Sequence, residues 1–420
     1  MIIHLPYGNS EQVWDAPERA KILTSGVDRL KSSADGREIV RDAAEHPIGS
    51  PRLRKLAAGK KTCTVIISDH TRPVPSRDIL PVMLEELRAG NPDIDITLLA
   101  ATGCHRLTTA EELKNKVGEE IASKERIVVH NCQKNNVEIG TLPSGAPLVI
   151  DRLAAETDLL VSEGFVEPHF FAGFSGGRKS VLPGVCDRVT VLGNHCSMFI
   201  DSPCARTGVL QGNPIHRDMV AAARMAKLAF IVNVVIDEKK KTVAAFAGDF
   251  EQAHLRGTEL LREYCAVKAV PADISVTTNG GAPLDQNIYQ CVKSMTAAEA
   301  TTRPGGVIIL CAECADGTGG EGFYRSLRDC ESVEGLYDRF MQTPQNKTIP
   351  DQWESQILAR ILKAHPVIMV TNPKLETTVE EMKMRYAATV EEAFETACSL
   401  VGAEPDVTVI PNGIAVIVEA

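Results

Sequence analysis

The 420-residue chain predicts an α/β protein built from mainly parallel sheets flanked by helices. Three observations carry that expectation. Short apolar runs such as CTVIIS (63–68), IDITLLAA (94–101) and GVIILC (306–311) alternate with stretches of helical spacing, as βα units do. The alternation lapses at AVKAVPA (266–272) and restarts with DISVTTNGG, which divides the chain in two. The length also exceeds what one hydrophobic core usually serves. The expected domains are residues 1–268 and 272–405, with the tail 406–420 free to return to the first.

In order, the first clear strand is CTVIIS, followed by the helix DILPVMLEELRAG with its closing glycine. The strand IDITLLAA, a polar helix over about 109–124, and the strand RIVVH (126–130) come next. DLLVSEG (158–164) reads as a strand before a glycine-rich stretch. HRDMVAAARMAKL reads as a helix, and FIVNVVIDEKKKTVAAFAG as a hairpin around a charged turn. The second half repeats the alternation, with strands at DISVTT, 306–311, 366–371 and 407–411 and helices near 285–300, 352–364 and 391–402.

Composition narrows the function. A net charge of −10 opposes nucleic acid or anionic membrane as a partner, so any bound anion needs a local site. No run approaches a membrane span, no signal peptide opens the chain, and the twelve cysteines lack a disulfide pattern, which together predict a cytoplasmic protein. Cys311 and Cys314 form a lone C-x-x-C that reads as buried small hydrophobes.

Polar residues cluster where strands end, which is where open α/β sheets bind ligands. SDHTRPVPS (68–76) follows the first strand and places Asp69, His70, Thr71 and Arg72 at its end; ATGCHR (101–106) does the same for His105. Asp69 and Thr71 also fit turn and cap chemistry, while the fork of Arg72 suits a phosphate or carboxylate. His169 and His195 follow further apolar stretches, with Lys179 between them in HFFAGFSGGRKSVLPG (169–184). That segment misses the Walker pattern because Arg178 stands where its last glycine belongs. Gly176 and Gly177 are expected to admit a phosphate with Arg178 adding charge, and Lys179 can serve as a covalent anchor once desolvated. Gln290 and Lys293 share a helical face, which in isolation reads as solvated, and Trp353 reads as a core residue ahead of a pocket wall.

The segments SDHTRPVPS, GCHR, EPHFFAGFSGGRKSVLPG, LGNH and NIYQCVKSM together resemble the nickel-dependent lactate racemase family, in the same order from about residue 60 onward. The resemblance implies two α/β domains with the active site in the cleft between them. It implies nickel held in a pincer nucleotide (pyridinium-3-thioamide-5-thiocarboxylic acid mononucleotide) that is covalently attached to Lys179 and installed by cofactor-assembly enzymes. Asp69, His70, Thr71 and Arg72 would grip the cofactor, His195 would ligate nickel, and Arg72, Gln290 and Lys293 would hold the substrate. His105 and His169 would be acid/base groups, one for each enantiomer.

The expected reaction inverts C2 of a 2-hydroxy acid by reversible hydride transfer, because loss of hydride leaves a stable planar 2-keto acid whereas loss of the Cα proton leaves a costly carbanion. Lactate, malate, a larger hydroxy acid and a sugar acid remain open as substrates. A pyridoxal phosphate enzyme using the lysine, and a non-catalytic nickel-binding protein, are the alternative readings.

Overall fold

The computed structural model describes every residue except Glu238, in the charged turn of the expected hairpin, and Ala420, at the chain end. Two six-stranded sheets organise it. The first runs in the order Thr242–Gly248, Leu228–Ile236, Leu159–Phe165, Thr62–Ser68, Asp95–Ala101, Arg126–Val129. All its pairings are parallel except the hairpin at the edge, whose strands pair antiparallel as the sequence predicts. Five consecutive residues of Thr62–Ser68 are buried, the uninterrupted burial expected of a strand covered on both faces.

The second sheet is wholly parallel, in the order Arg385–Ala387, Val367–Val370, Thr302–Cys311, Ala272–Thr278, Val407–Ile410, Lys21–Ile22. Its last strand corrects the expectation that residues 1–268 form one domain. Lys21–Ile22 pairs with Val407–Ile410, and the hairpin Ile2–Tyr7/Ser10–Asp15 buries Ile3, Leu5 and Trp14 against Ile274 and Val276. Alternate apolar residues on this hairpin make one water-excluding face, and the second sheet is what covers it. At the other end, Ile417–Glu419 pairs with Ala266–Lys268, and Ile417 packs with Val166, Phe174 and Leu261.

The polar helix expected over 109–124 is two helices, Ala110–Val117 and Glu119–Lys124. Gly118 between them adopts φ +88°, a conformation that interrupts the helical ladder. Thr109 and Glu112 close a reciprocal capping box at the start of the first.

One apolar cluster joins the layers between the sheets, running from Ile66 and Leu99 through Phe171 and Val185 to Ile288, Val292, Ile308 and Leu358. Above it the chain reverses its strand order. From Thr62–Ser68 the sheet grows one way through Asp95–Ala101 and the other way through Leu159–Phe165, so the loops after these strands part and leave a crevice. No helix among the described residues is long and apolar enough to cross a membrane.

Candidate active site

The crevice opens into a cavity of about 360 Å³, within the ~300–1,000 Å³ usual for small-molecule sites. Loops of the first sheet supply Asp69, Arg72, His105, His169, Lys179 and His195 to its wall. Helix Ile288–Glu299, which follows the first long strand of the second sheet, supplies Tyr289, Gln290 and Lys293, and the start of helix Gln352–Ala364 supplies Trp353 and Glu354. The two sheets therefore close one cavity between them.

His105 and Asp69 form a dyad. His105 Nδ1 lies 2.7 Å from Asp69 Oδ2, while Asp69 Oδ1 accepts from the Thr71 amide at 3.1 Å and the Thr71 hydroxyl at 2.7 Å. Burial alone would raise the Asp69 carboxyl, but the hydrogen bonds from His105 and Thr71 and the charge of Arg72 hold it at about 2. A carboxylate can only accept, so it fixes the proton on Nδ1 and leaves the Nε2 lone pair of the half-exposed His105 free.

His169 is arranged in the opposite sense. Its Nδ1 accepts from the Ala172 amide at 3.2 Å and, more weakly, from Phe171 at 3.5 Å. This network assigns the proton of the neutral ring to Nε2, which sits 3.2 Å from Lys179 Nζ. Burial, with the charges of Lys293 and Arg72 adding to it, keeps the ring neutral by lowering its pKa.

Lys179 is pushed toward its uncharged form for related reasons. Burial comes first and the positive neighbours Arg178, Arg72 and Lys293 add to it, so its ammonium falls well below the usual lysine range against a small opposing pull from Glu167. The Nζ lone pair then accepts from His169 Nε2. Such an amine is a nucleophile.

The loop around Lys179 is held from behind. Arg178 turns into the core, donating to the carbonyls of Ala172 and Phe174 at 2.8 Å each and to His216 Nδ1 at 3.0 Å. Burial without any carboxylate partner lowers it to about 9. The Gly177 amide is likewise spent, donating to Asn233 Oδ1 at 2.6 Å. Arg178 and Gly177 thus do not offer the phosphate contacts expected from the sequence. Gly177, at φ +54°, is packed so closely that a Cβ would meet the His254 ring at 2.7 Å.

His195 caps helix Arg188–Asn194 and donates from Nδ1 to the Val191 carbonyl at 3.1 Å. Burial holds it at about 3, so Nε2 carries a lone pair at all ordinary pH. Its ring lies edge-on to Phe171 and to Trp353, with centroids 5.2 and 5.0 Å apart. Trp353 is therefore a wall of the cavity, the less favoured of its two expected places; its Nε1 donates to the Tyr289 hydroxyl at 3.1 Å.

Lys293 Nζ donates to Gln290 Oε1 at 2.5 Å, and both line the cavity, so this helix face is not the solvated one. Two of the expected residues stay outside the cavity wall. His70 turns to the Thr108 hydroxyl, 3.0 Å away, and Thr71 serves Asp69. Arg72 reaches the wall, and its carbonyl accepts from Lys116 Nζ at 3.0 Å.

Sequence reasoning did not find Glu163, Arg188, Asp351 or Glu354, all in the cavity wall. Glu163 Oε1 accepts from Ser76 at 2.7 Å while its buried Oε2 has no partner, and Arg188 Nε is also buried without one. Isolated charged residues in unremarkable spacing carry no signal until the fold aims them at the same space.

The chain is similar to known proteins over nearly its whole length. Residues 7–208 match the model of the lactate racemase N-terminal domain and residues 267–418 that of the lactate racemase C-terminal domain. The chain is 53% identical over 420 residues to a lactate racemase of Thermoanaerobacterium thermosaccharolyticum and 50% identical over 422 residues to one of Lactiplantibacillus plantarum, covering 99% of each chain in both cases. It superposes on the lactate racemase apoprotein of the former organism with a TM-score of 0.97 at 52% identity over the whole of both chains. A Thermotoga maritima protein at 18% identity shares the fold, with a TM-score of 0.65 over 93% of this chain and all of that one. The chain belongs to the lactate racemase family of isomerases.

Proposed function

We propose that this protein interconverts the enantiomers of lactate by moving a hydride off and back onto C2, in the cytoplasm, with nickel and a pincer nucleotide tethered at Lys179. The observation that carries the reading is the meeting in one cavity of an oriented base (His105), a buried lysine pushed toward its uncharged form (Lys179) and a buried imidazole whose other nitrogen is held by a backbone carbonyl (His195).

The residues fit the proposed group. Burial pushes Lys179 toward the neutral amine, the form that an acyl tether requires. His195 has its tautomer set by a backbone carbonyl, the arrangement usual for metal-bound imidazole. No set of three or more His, Cys, Asp or Glu side chains among the described residues is grouped to hold a metal, so nickel at His195 needs further donors from the nucleotide itself. The unpartnered Arg188 Nε and Glu163 Oε2 suit a phosphate and a hydroxyl, respectively. When bound, this group supplies the hydride acceptor. Assembly enzymes would install it.

The chain's own residues do the rest. Lys293, steadied by Gln290, and Arg72 provide positive charge for the substrate carboxylate. His105 Nε2 takes the hydroxyl proton at one side, and His169 presents a proton on Nε2 at the other. The two histidines thus begin a turnover in complementary states, as passing a proton in at one side and out at the other requires. The apolar rings of Phe171 and Trp353 exclude water around His195. Protein co-produced with assembly enzymes is expected to convert L-lactate to a mixture of enantiomers, resolved by chiral chromatography; an unchanged enantiomer with the tether in place would contradict the proposal.

A further inference from the structure

Helix Gln352–Ala364 carries a group that the reaction above does not use. Glu354, in its first turn, is 1% exposed and lines the cavity alongside Lys293 and Gln290. Its buried Oε1 has no hydrogen-bond partner, and no donor among the described residues reaches either carboxyl oxygen. Lys293 does not form an ion pair with it; that ammonium donates to Gln290 instead. A buried carboxylate without a donor is disfavoured, so the carboxyl is held toward the neutral acid. Burial pushes it up to about 8, opposed by the charge of Lys293 and reinforced by Asp351. The titratable groups facing it are Lys293 and Tyr289 on helix Ile288–Glu299 and Asp351 on its own segment.

A neutral carboxyl has one O–H to give, and Glu354 lines the cavity where a ligand can take it. The ligand proposed for this cavity brings one, since a 2-hydroxy acid is an anion whose carboxylate is drawn to Lys293. A carboxylate beside a neutral acid forms a strong hydrogen bond, whereas beside a second carboxylate it is repelled.

We infer that Glu354 is a specificity-determining residue that recognises the substrate carboxylate as a neutral acid, donating its O–H to one carboxylate oxygen while Lys293 supplies the charge. Glu354 keeps its proton through the turnover and takes no part in the chemical step. This inference rests on reading the cavity as a 2-hydroxy acid site. The sign of its pH dependence follows from the raised value: the donor is present at neutral pH and disappears as pH rises through about 8. Above that pH, affinity falls roughly tenfold per unit, because only the protonated fraction binds.

The test is a titration of the cofactor-loaded protein with L-lactate between about pH 6 and pH 9.5, followed by tryptophan fluorescence. The chain has two tryptophans; Trp353 adjoins Glu354 in the cavity wall, and Trp14 is buried under the second sheet. The wild-type Kd should be flat at low pH and climb above about pH 8. Glu354→Gln keeps an N–H donor and cannot ionise, so its Kd should stay within about threefold of wild type at pH 6.5 and lose the climb. Glu354→Ala should weaken binding at least tenfold at pH 6.5, with kcat changed far less than KM.

A Glu354→Gln protein with the wild-type pH profile would overturn the inference, as would Glu354→Ala binding lactate normally. Racemisation by the same wild-type sample separates this from the functional reading. PH-dependent binding without turnover would count against the racemase and leave Glu354 in its role; turnover with pH-independent binding would overturn Glu354 alone.

Discussion

Asp69→Asn offers a sharp perturbation, because Thr71 dictates how the new amide must sit. The Thr71 amide and hydroxyl both donate to Asp69 Oδ1, at 3.1 and 2.7 Å, so the asparagine oxygen takes that place and its NH2 faces His105. His105 Nδ1 must then accept, which moves the ring proton to Nε2 and removes the lone pair that faces substrate. Two losses follow. Holding the Asp69 carboxyl at about 2 reflects roughly 2–3 kcal/mol of preference for the charged form, of which about 1–2 survives solvent screening at the half-exposed histidine. That is roughly 5- to 30-fold in rate. The inverted tautomer then forfeits general-base catalysis, worth ~10²–10⁴. Asp69→Ala removes the charge but leaves the ring free to adopt either tautomer, so it should cost only about 10- to 100-fold. The assay is kcat/KM for lactate racemisation by chiral chromatography in both directions, on proteins with equal tether occupancy by intact mass. The polar, nearly isosteric Asn variant should be the worse of the two. Asn activity equal to or above Ala activity would refute the tautomer argument.

Lys179→Ala should leave the fold intact and abolish the covalent adduct in intact mass spectra, while His195→Ala should keep the adduct and lose nickel measured by elemental analysis. Arg178→Met should destabilise the protein by roughly 3 kcal/mol in denaturant titration, since it strands the carbonyls of Ala172 and Phe174 at ~1–3 kcal/mol for each unsatisfied buried group; a loss below about 1 kcal/mol would show that water replaces those bonds.

The strands were legible because parallel sheets buried on both faces need short, unbroken apolar runs, and CTVIIS, IDITLLAA and GVIILC are such runs between turn signals. Residues at their ends were legible for the same reason: a strand end in an open α/β sheet is a predictable place. The Asp69–His105 dyad was not, because it joins loops 36 residues apart and depends on the neighbouring register of Thr62–Ser68 and Asp95–Ala101. Arg178 misled for a related reason. Its charge suggested an anion, yet the carbonyls turned inward by the glycine-rich loop claimed it instead. Nor did the N-terminal hairpin announce which sheet its apolar face would cover, since Ile3, Leu5 and Trp14 suit either core. The hairpin Asn136–Thr141/Pro147–Asp151 had a signal, the turn sequence LPSGAP between alternating residues, that an eye set on βα alternation passes over.

The central claim is that C2 loses and regains a hydride rather than a proton. Cofactor-loaded protein turning over L-lactate in heavy water tests it directly, by mass spectrometry of the D-lactate formed. The account predicts that hydrogen at C2 is retained and that C2-deuterated lactate keeps its deuterium through racemisation. Solvent deuterium at C2 of the product would contradict it.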